Sequence, residues 1–379
     1  MKLLIISHTE HFRRADGQVA GWGPTVREIN YLTNFFEEIY HVAPLHSGEA
    51  PPSCLVYEST RIHFVPVNPS GGHTLSAKVG ILSHAPATIR TVMKTLKKVD
   101  VFQFRAPTGI GVYLLPWLTA FCRKLGWVKY AGNWAQEKPP VGYAFQRWWL
   151  TRNFMKCPVT INGKWRSQPE HCLTFENPCL DENERSDGAR ILENKSYEGP
   201  LNFCFVGRLD EAKGVGRILE GFRALGNHPR IGTLHFVGDG PGRVDYEARA
   251  ASLGLNVKFH GFLERKAVSH IYELSHVILL LSKSEGFPKV VAEAANYGCI
   301  PLVSNVGSLS QYVRNGENGF CIDEVDCDAA GVASALRDLF ALDSPKFLAR
   351  EAHAMAASFT FTHYNNRIQG EVGRWLKTK

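Results

Sequence analysis

Short apolar runs alternate with amphipathic stretches along most of the chain. The run 3–6 ends in a polar stretch, 7–23, and apolar residues at helical spacing follow between Val26 and Phe36. Strand, loop and helix in this order are the opening of an α/β unit. Later apolar runs in the first half predict strands at 62–65, 99–104, 127–130 and 159–161.

A second series of the same kind begins near residue 200. It predicts strands at 202–206, 233–237, 257–259, 277–281 and 300–303, and helices at 215–225, 245–253, 268–274 and 289–297. This alternation predicts parallel sheets with helices on both faces, so the expected fold class is α/β with two doubly wound, Rossmann-like domains. The polar stretch 180–200 between the two series is predicted to be a linker.

Length and charge agree with two unlike domains. A chain of 379 residues is about twice the usual domain size. Residues 1–180 carry 20 basic and 11 acidic side chains, whereas residues 181–379 carry 23 basic and 25 acidic ones. The net charge of +7 therefore belongs to the first half. This indicates that the first half faces something anionic, with drift in surface composition as the alternative.

Glycine-bearing loops follow four strands of the second series. They are 207–214, 238–241, 260–263 and 282–289. Ligands of open parallel sheets bind outside the carboxyl ends of the strands, so these loops are expected to converge. Arg208 and Lys213 add two cations beside a helix N-terminus, which together predict a diphosphate site. A single loop would indicate only a tight turn.

Two glutamates extend this predicted site. Glu285 lies just before a helix, and Glu293 lies about two turns into that helix, on nearly the same face. A carboxylate can accept hydrogen bonds from two sugar hydroxyls. Carboxylates beside a diphosphate site suit a nucleotide-sugar, although either glutamate alone is explained as an ordinary helix charge.

These same segments resemble retaining glycosyltransferases of family 4, which have the GT-B fold. The similar segments are FVGRLDEAKGVGRILEGF, FVGDGP, VKFHGFL and the E-x7-E segment that begins EGFPKVVAEA, and they lie within 202–320. The resemblance implies two Rossmann-like domains that face each other across a cleft. It implies an acceptor-side domain at 1–185, a donor domain at 186–361 and a C-terminal helix at 362–379 that packs back on the first domain.

The resemblance also implies roles for individual residues. Arg208 and Lys213 would neutralise the donor diphosphate, Glu285 would lie by the transferred sugar, and Glu293 would hold the ribose. Together, Glu285, Arg208 and Lys213 are the expected catalytic set. The remaining donor-binding residues are expected to be Gly207, Gly286, Phe287, Lys289, Leu263, Gly240 and, from the first domain, Gly17.

One segment departs from the family pattern. Many members place a histidine at the end of a first-domain strand, whereas this chain has Asn133 at the comparable position. Asparagine can donate and accept hydrogen bonds but cannot act as a general base. The acceptor-side candidates are therefore Asn133 together with His8 and His11 from the first loop, and Glu10 is a further substitute.

The resemblance implies a retaining, metal-independent transfer of a UDP- or GDP-linked sugar to an acceptor hydroxyl. The resemblance implies that no cofactor or metal is needed, because the two cations would replace a magnesium ion, and no D-x-D motif of the kind linked to metal-dependent transferases is recognised. The alternatives are a sugar-nucleotide epimerase, a glycan phosphorylase or a decayed nucleotide-sugar-binding protein. The expected role is surface polysaccharide or glycolipid biosynthesis.

Partners and compartment follow from composition. Nine cysteines without a C-x-x-C motif and a short apolar N-terminal run indicate a cytoplasmic protein. The basic, aromatic segment 143–156 suggests peripheral contact with an anionic membrane surface and a lipid-linked or glycan acceptor, although these aromatics can equally be core. No nucleic-acid module is present in the sequence.

Overall fold

The computed structural model describes residues 1–70 and 80–377. The chain divides into two compact units: Met1–Glu176 with Tyr364–Lys379, and Asn177–His363. The last two positions of the predicted 362–379 segment lie outside the described residues. Each unit has its own sheet and its own apolar clusters.

The described part of unit 1 contains ten strands in one sheet. The strands are β1 Lys2–Ile6, β2 His11–Arg13, β3 Val19–Trp22, β4 Glu38–His46, β5 Cys54–Val56, β6 Ile62–Val67, β7 Val101–Ala106, β8 Leu125–Tyr130, β9 Val159–Ile161 and β10 Cys172–Thr174. The order β10-β9-β8-β7-β1-β4-β6 is parallel throughout. Beyond β4, β2 pairs with β4 in parallel, and β3 and β5 continue as antiparallel strands.

Helices cover the parallel part of this sheet. They are α1 Gly23–Leu32, α2 Ala85–Leu96, α3 Gly111–Phe121 and α4 Val141–Thr151. Leu3 to Ile6 of the central strand β1 are fully buried, as expected for a parallel strand that is packed on both faces. The polar stretch 7–23 is therefore not a plain loop, because it also forms the β2–β3 hairpin, and Gly17 with φ +82° makes the turn.

Unit 2 has a six-stranded, fully parallel sheet in the order β13-β12-β11-β14-β15-β16. The strands are β11 Leu201–Val206, β12 Ile231–Val237, β13 Val257–Gly261, β14 Val277–Leu280, β15 Ile300–Ser304 and β16 Phe320–Ile322. The helices are α5 Glu182–Asn194, α6 Val215–Leu225, α7 Arg243–Ala251, α8 Arg265–Leu274, α9 Lys289–Asn296, α10 Ala329–Phe340 and α11 Pro345–Ala356. The chain then continues through α12 Phe361–Arg367, a π-turn Ile368–Val372 and α13 Gly373–Lys377.

The predicted linker at 180–200 is wrong, since most of it is helix α5. Asp181 caps this helix: its carboxylate accepts from the Glu184 amide at 2.8 Å, and Glu184 Oε2 accepts from the Asp181 amide at 3.0 Å. This reciprocal capping box stabilises a helix whose composition alone suggests a flexible segment. Helix α5 belongs to unit 2, so the boundary at Glu176 precedes the expected one at residue 185.

Candidate functional site

Three loops at the carboxyl edge of the unit 2 sheet approach one another backbone to backbone. Gly214 has φ +80° and Gly238 has φ +125°. A Cβ atom at Gly214 would overlap the carbonyl oxygen of Leu281, and one at Gly238 would overlap that of Gly207. Glycine is therefore required here by both conformation and space. The loops after β11, β12 and β14 form one continuous surface.

Backbone hydrogen bonds fix the relative positions of these loops and include the end of β13. They run from Leu209 N to Asp239 O at 3.0 Å, from Lys283 N to Ala212 O at 2.9 Å, and from Gly238 N to Gly261 O at 2.8 Å. Gly240 lies against the Leu209 backbone, where a Cβ atom would come within 2.5 Å of the carbonyl oxygen. The four loops read from the sequence are thus brought together.

Lys213 and Glu285 form an ion pair at this edge. The Nζ of Lys213 lies 2.5 Å from Oε1 of Glu285, although the two residues are 72 positions apart. Lys213 ends the 3-10 turn Glu211–Lys213, and its amide donates to the Asp210 carboxylate at 2.9 Å. The Lys213 side chain is 34% exposed and that of Glu285 only 11% exposed, so Glu285 is held inside the site while Lys213 reaches its surface.

Arg208 is also paired with a carboxylate. Its Nε lies 3.2 Å from Asp210 Oδ2, and the Arg208 side chain is 67% exposed. The two cations expected from the sequence are thus each matched by an acid in the structure. An incoming diphosphate would have to compete with Glu285 for Lys213 and with Asp210 for Arg208.

Glu293 does not stand alone on α9. Its Oε1 accepts from Arg265 Nη1 at 2.9 Å, and the same guanidinium binds Glu184 at 2.6 Å and the Cys179 carbonyl at 2.6 Å. The two carboxylates raise the pKa of Arg265 against the opposing effect of burial. Arg265 and Glu184 were not found from the sequence, although the D-x-x-E pattern of the capping box was a visible signal at Glu184.

The other expected donor residues have mixed surroundings. The Gly286 carbonyl accepts from the amide and the hydroxyl of Ser308, at 3.0 and 2.8 Å. The Phe287 ring is buried and stacks on Phe359 with 4.2 Å between centroids, so only its backbone could face a ligand. Gly207 follows β11, and Lys289 opens α9. Leu263 follows β13 and packs partly on the small apolar cluster around Cys204.

In unit 1, His8 and Asn133 both follow parallel strands, β1 and β8. The His8 side chain is exposed. Its pKa is lowered, first by loss of solvation next to the surrounding protein atoms and then by the charge of Arg105. Asn133 Oδ1 accepts from the Ala135 amide at 3.0 Å, which makes a local turn. Both residues lie at the carboxyl edge of the unit 1 sheet, as a ligand-binding role there requires.

His11 is placed differently from the expectation. It is fully buried on β2, where Nδ1 bonds the Thr9 carbonyl at 2.8 Å and Nε2 bonds the Tyr57 hydroxyl at 2.7 Å. His41 bonds the same hydroxyl at 2.6 Å and Ser7 Oγ at 2.7 Å. With both ring nitrogens used inside unit 1, His11 is a packing residue and not a group that faces an acceptor.

Neutral imidazoles satisfy every hydrogen bond in this network. If His11 donates to Thr9 O, Tyr57 donates to His11, and His41 donates to Tyr57, then His41 Nε2 accepts from Ser7, and every polar hydrogen is used. Burial lowers the pKa of His11 to about 4 and lowers the pKa of His41 well below its usual value. The network was not visible in the sequence, because Tyr57 and His41 come from different strands and loops.

A second buried polar group in unit 1 was also missed. Glu28 of α1 accepts from Lys129 at 2.7 Å through both oxygens and from Arg105 at 2.9 Å. All three side chains are at least nine-tenths buried, and the Lys129 ammonium lies 4.7 Å from the centre of the Tyr364 ring. The cluster joins α1 to β7 and β8 on the face that also holds α12.

The aromatic residues of the first half divide into core and surface. Leu114, Leu115 and Leu118 are fully buried in the unit 1 core, so the core interpretation holds for them. Phe121, Trp148 and Phe154 are exposed, at 71%, 49% and 41%. They lie among the exposed cations Arg123, Lys124, Arg152 and Lys156. Phe121 and Phe154 precede β8 and β9, so this basic aromatic patch lies at the amino edge of the sheet.

Comparison of the whole chain with solved structures defines its fold. Anabaena Alr3699/HepE in complex with UDP superposes with a TM-score of 0.72 at 16% identity, covering 99% of this chain and 100% of that one. Sucrose-phosphate synthase from Thermosynechococcus elongatus gives 0.72 at 16% identity, covering 100% and 99%. The two Rossmann-like units are therefore those of a GT-B protein, as expected from the sequence.

Sequence comparison finds relatives of the second unit. Residues 191–352 match the model of the family Glycosyl transferases group 1. Glycogen synthase of Mycobacterium tuberculosis is 32% identical over 183 residues, 46% of this chain and 42% of that protein. D-inositol 3-phosphate glycosyltransferase of Acidothermus cellulolyticus is 30% identical over 188 residues, 46% and 41% of the two lengths. The chain spans about two fifths of the length of these curated relatives.

Proposed function

We propose that the protein transfers a sugar from a UDP- or GDP-linked donor to an acceptor hydroxyl, with retention of the anomeric configuration and without a metal ion. The observation that carries the proposal is the Lys213–Glu285 pair, set among four converging loops at the carboxyl edge of the unit 2 sheet. The family match of residues 191–352 and the UDP bound in the related Anabaena structure support a nucleotide-sugar donor.

In this proposal the acceptor oxygen forms a bond to the anomeric carbon on the same face from which the diphosphate departs. The departing nucleoside diphosphate takes the bonding electron pair, so negative charge grows on its phosphate oxygens, and one of these oxygens accepts the proton of the acceptor hydroxyl. Lys213 and Arg208 would stabilise that charge. When Lys213 turns to the phosphate, Glu285 loses its partner, and its carboxylate becomes free to face the positive charge that develops on the sugar ring.

A thermal-shift screen with UDP, GDP, ADP and their sugars tests donor binding. A ligand at 100 times its Kd stabilises the native state by about 2.7 kcal/mol, which is readily measured. We expect one nucleotide series to shift the unfolding temperature of the wild type. A shift in the unfolding temperature that requires an added cofactor or metal ion, or no shift with any nucleotide, would contradict the proposal. The anomeric configuration of the product, measured by NMR, tests retention.

We also propose that the protein acts in surface polysaccharide or glycolipid assembly and attaches to the anionic inner face of a membrane through the basic aromatic patch. No helix among residues 1–70 and 80–377 is long and apolar enough to span a bilayer. The patch lies at the opposite end of the unit 1 strands from His8 and Asn133, about 20 Å away for a six-residue strand. It is therefore suited to attachment and not to holding the reacting hydroxyl.

Co-sedimentation with vesicles of phosphatidylserine and phosphatidylcholine tests this attachment. We expect binding at low salt, weaker binding at high salt and loss of binding when Phe121 and Phe154 are replaced by Asp. Replacement of exposed Val244 in unit 2 by Asp is the control that should leave binding unchanged. No binding of the wild type at low salt would reject the membrane proposal and leave the donor proposal unaffected.

A further inference from the structure

Arg265 has all of its guanidinium nitrogens engaged at the edge of the candidate site. Nε donates to Glu184 Oε1 at 2.6 Å, Nη1 to Glu293 Oε1 at 2.9 Å, and Nη2 to the Cys179 carbonyl at 2.6 Å. A planar guanidinium bound on three sides has one geometry, and a lysine could not reproduce it. Arg265 therefore fixes the orientation of the Glu293 carboxylate.

Glu293 keeps one acceptor oxygen available. Among the described residues, the hydrogen bond that the Glu293 carboxylate accepts comes from Arg265 Nη1 and goes to Oε1, and the Glu293 side chain is 15% exposed. Oε2 is thus left to accept a hydrogen bond from outside the protein. A carboxylate with one oxygen fixed and one open is pre-organised to receive a hydroxyl group.

Glu184 is itself held in place by the start of α5. Its Oε2 accepts from the Asp181 amide at 3.0 Å, while Oε1 binds Arg265. The chain of contacts runs from the capping box through Arg265 to Glu293. Because two carboxylates share one guanidinium, the group carries one net negative charge, which favours a hydrogen-bond donor and disfavours a phosphate at this end of the site.

We infer that Arg265, supported by Glu184, is a positioning residue that orients Glu293 toward the ribose hydroxyls of the donor nucleotide. The inference rests on the proposed function and adds a determinant of ribose recognition to it. If the contacts of Arg265 only connected α5, α8 and α9, they would stabilise the fold. They would not distinguish the ribose of a nucleotide from a dideoxyribose.

Calorimetric titration with a nucleoside diphosphate and its 2′,3′-dideoxy analogue separates these two roles. We expect Arg265→Met to weaken binding of the ribonucleotide by about tenfold or more, and to weaken binding of the dideoxy compound much less, through the added negative charge alone. Glu184→Gln should show a smaller loss with the same selectivity, since glutamine can still complete a capping box. In turnover, KM for the donor should rise more than kcat falls.

Arg367→Met is a matched control. Arg367 in unit 1 binds Glu371 at 2.7 Å, Glu176 at 2.6 Å and the Thr174 carbonyl at 2.6 Å, a fork of the same composition. Its loss should lower stability and leave both Kd values unchanged. Equal effects of Arg265→Met on the two nucleotides, or none, would overturn the inference alone. Failure of the folded wild type to bind any ribonucleotide would overturn the proposed function and this inference with it.

Discussion

Replacement of Glu285 by Gln is predicted to separate donor binding from turnover. In the structure the Glu285 carboxylate holds the Lys213 ammonium at 2.5 Å and neutralises it. Removing the negative charge frees Lys213 for the donor diphosphate and removes a repulsive charge near it. Nucleoside diphosphate binding should therefore become tighter, whereas turnover should fall because the carboxylate beside the reacting sugar is lost.

The magnitude follows from the exposure of the pair. Two unit charges 2.5 Å apart interact by about 2 kcal/mol at the dielectric constant of water. Since Lys213 is 34% exposed, solvent screens the pair, and its interaction is that of a surface pair, up to about 1 kcal/mol. Release of the cation then corresponds to about fivefold tighter binding. Loss of one electrostatic stabiliser of the transition state corresponds to turnover lower by about 100-fold.

The assay is calorimetric titration of the nucleoside diphosphate together with turnover measured as nucleotide release. Lys213→Ala should also lose about 100-fold in turnover, but its nucleotide binding should weaken. Glu211→Gln is the control, because Glu211 pairs at 3.1 Å with Lys283 on the same loops and both side chains are well exposed. Weaker nucleotide binding by Glu285→Gln, in parallel with Lys213→Ala, would refute the competition between Glu285 and the diphosphate.

Three further predictions concern stability and metal dependence. The folded-state pKa of His11 is about 4, whereas its unfolded value is about 6.5, so the unfolded state binds a proton first as the pH falls. The free energy of unfolding should therefore fall by about 2 to 3 kcal/mol between pH 7.5 and 4.5. Urea titrations at the two pH values should show this loss, and a His11→Asn variant should show a smaller one. Glu28→Ala leaves Arg105 and Lys129 buried without their carboxylate and should cost about 3 kcal/mol or more, measured by denaturant unfolding; an unchanged midpoint would contradict the cluster's role. EDTA should leave turnover unchanged, and loss of activity restored by a divalent cation would contradict metal independence.

Much of the fold was predictable because its strands are short apolar runs between polar breaks. The helix prediction at 215–225 matches α6, and the strand prediction at 159–161 matches β9. β4 was missed, because Phe35 and Phe36 extended the apparent helical pattern beyond the end of α1 at Leu32. Helix α5 was read as a linker because its exposed face is strongly polar and its stability comes from capping and packing.

The location of the candidate site could be predicted from the sequence, but the ion pairs within it could not. Loops after parallel strands meet at one edge, so Arg208, Lys213 and Glu285 could be grouped from the sequence. The Lys213–Glu285 pair joins residues 72 positions apart, and no local pattern encodes such a tertiary contact. For the same reason, Arg265 and the buried Glu28 cluster were visible only in three dimensions.

The most direct measurement is the release of nucleoside diphosphate from a panel of UDP- and GDP-linked sugars by wild-type protein and by Lys213→Ala. We predict release from at least one donor, stimulated by a suitable acceptor and reduced by about 100-fold in the variant. Absence of binding and release with every donor by folded wild-type protein, or release that does not depend on Lys213, would contradict the assignment of this edge of the unit 2 sheet as the donor site.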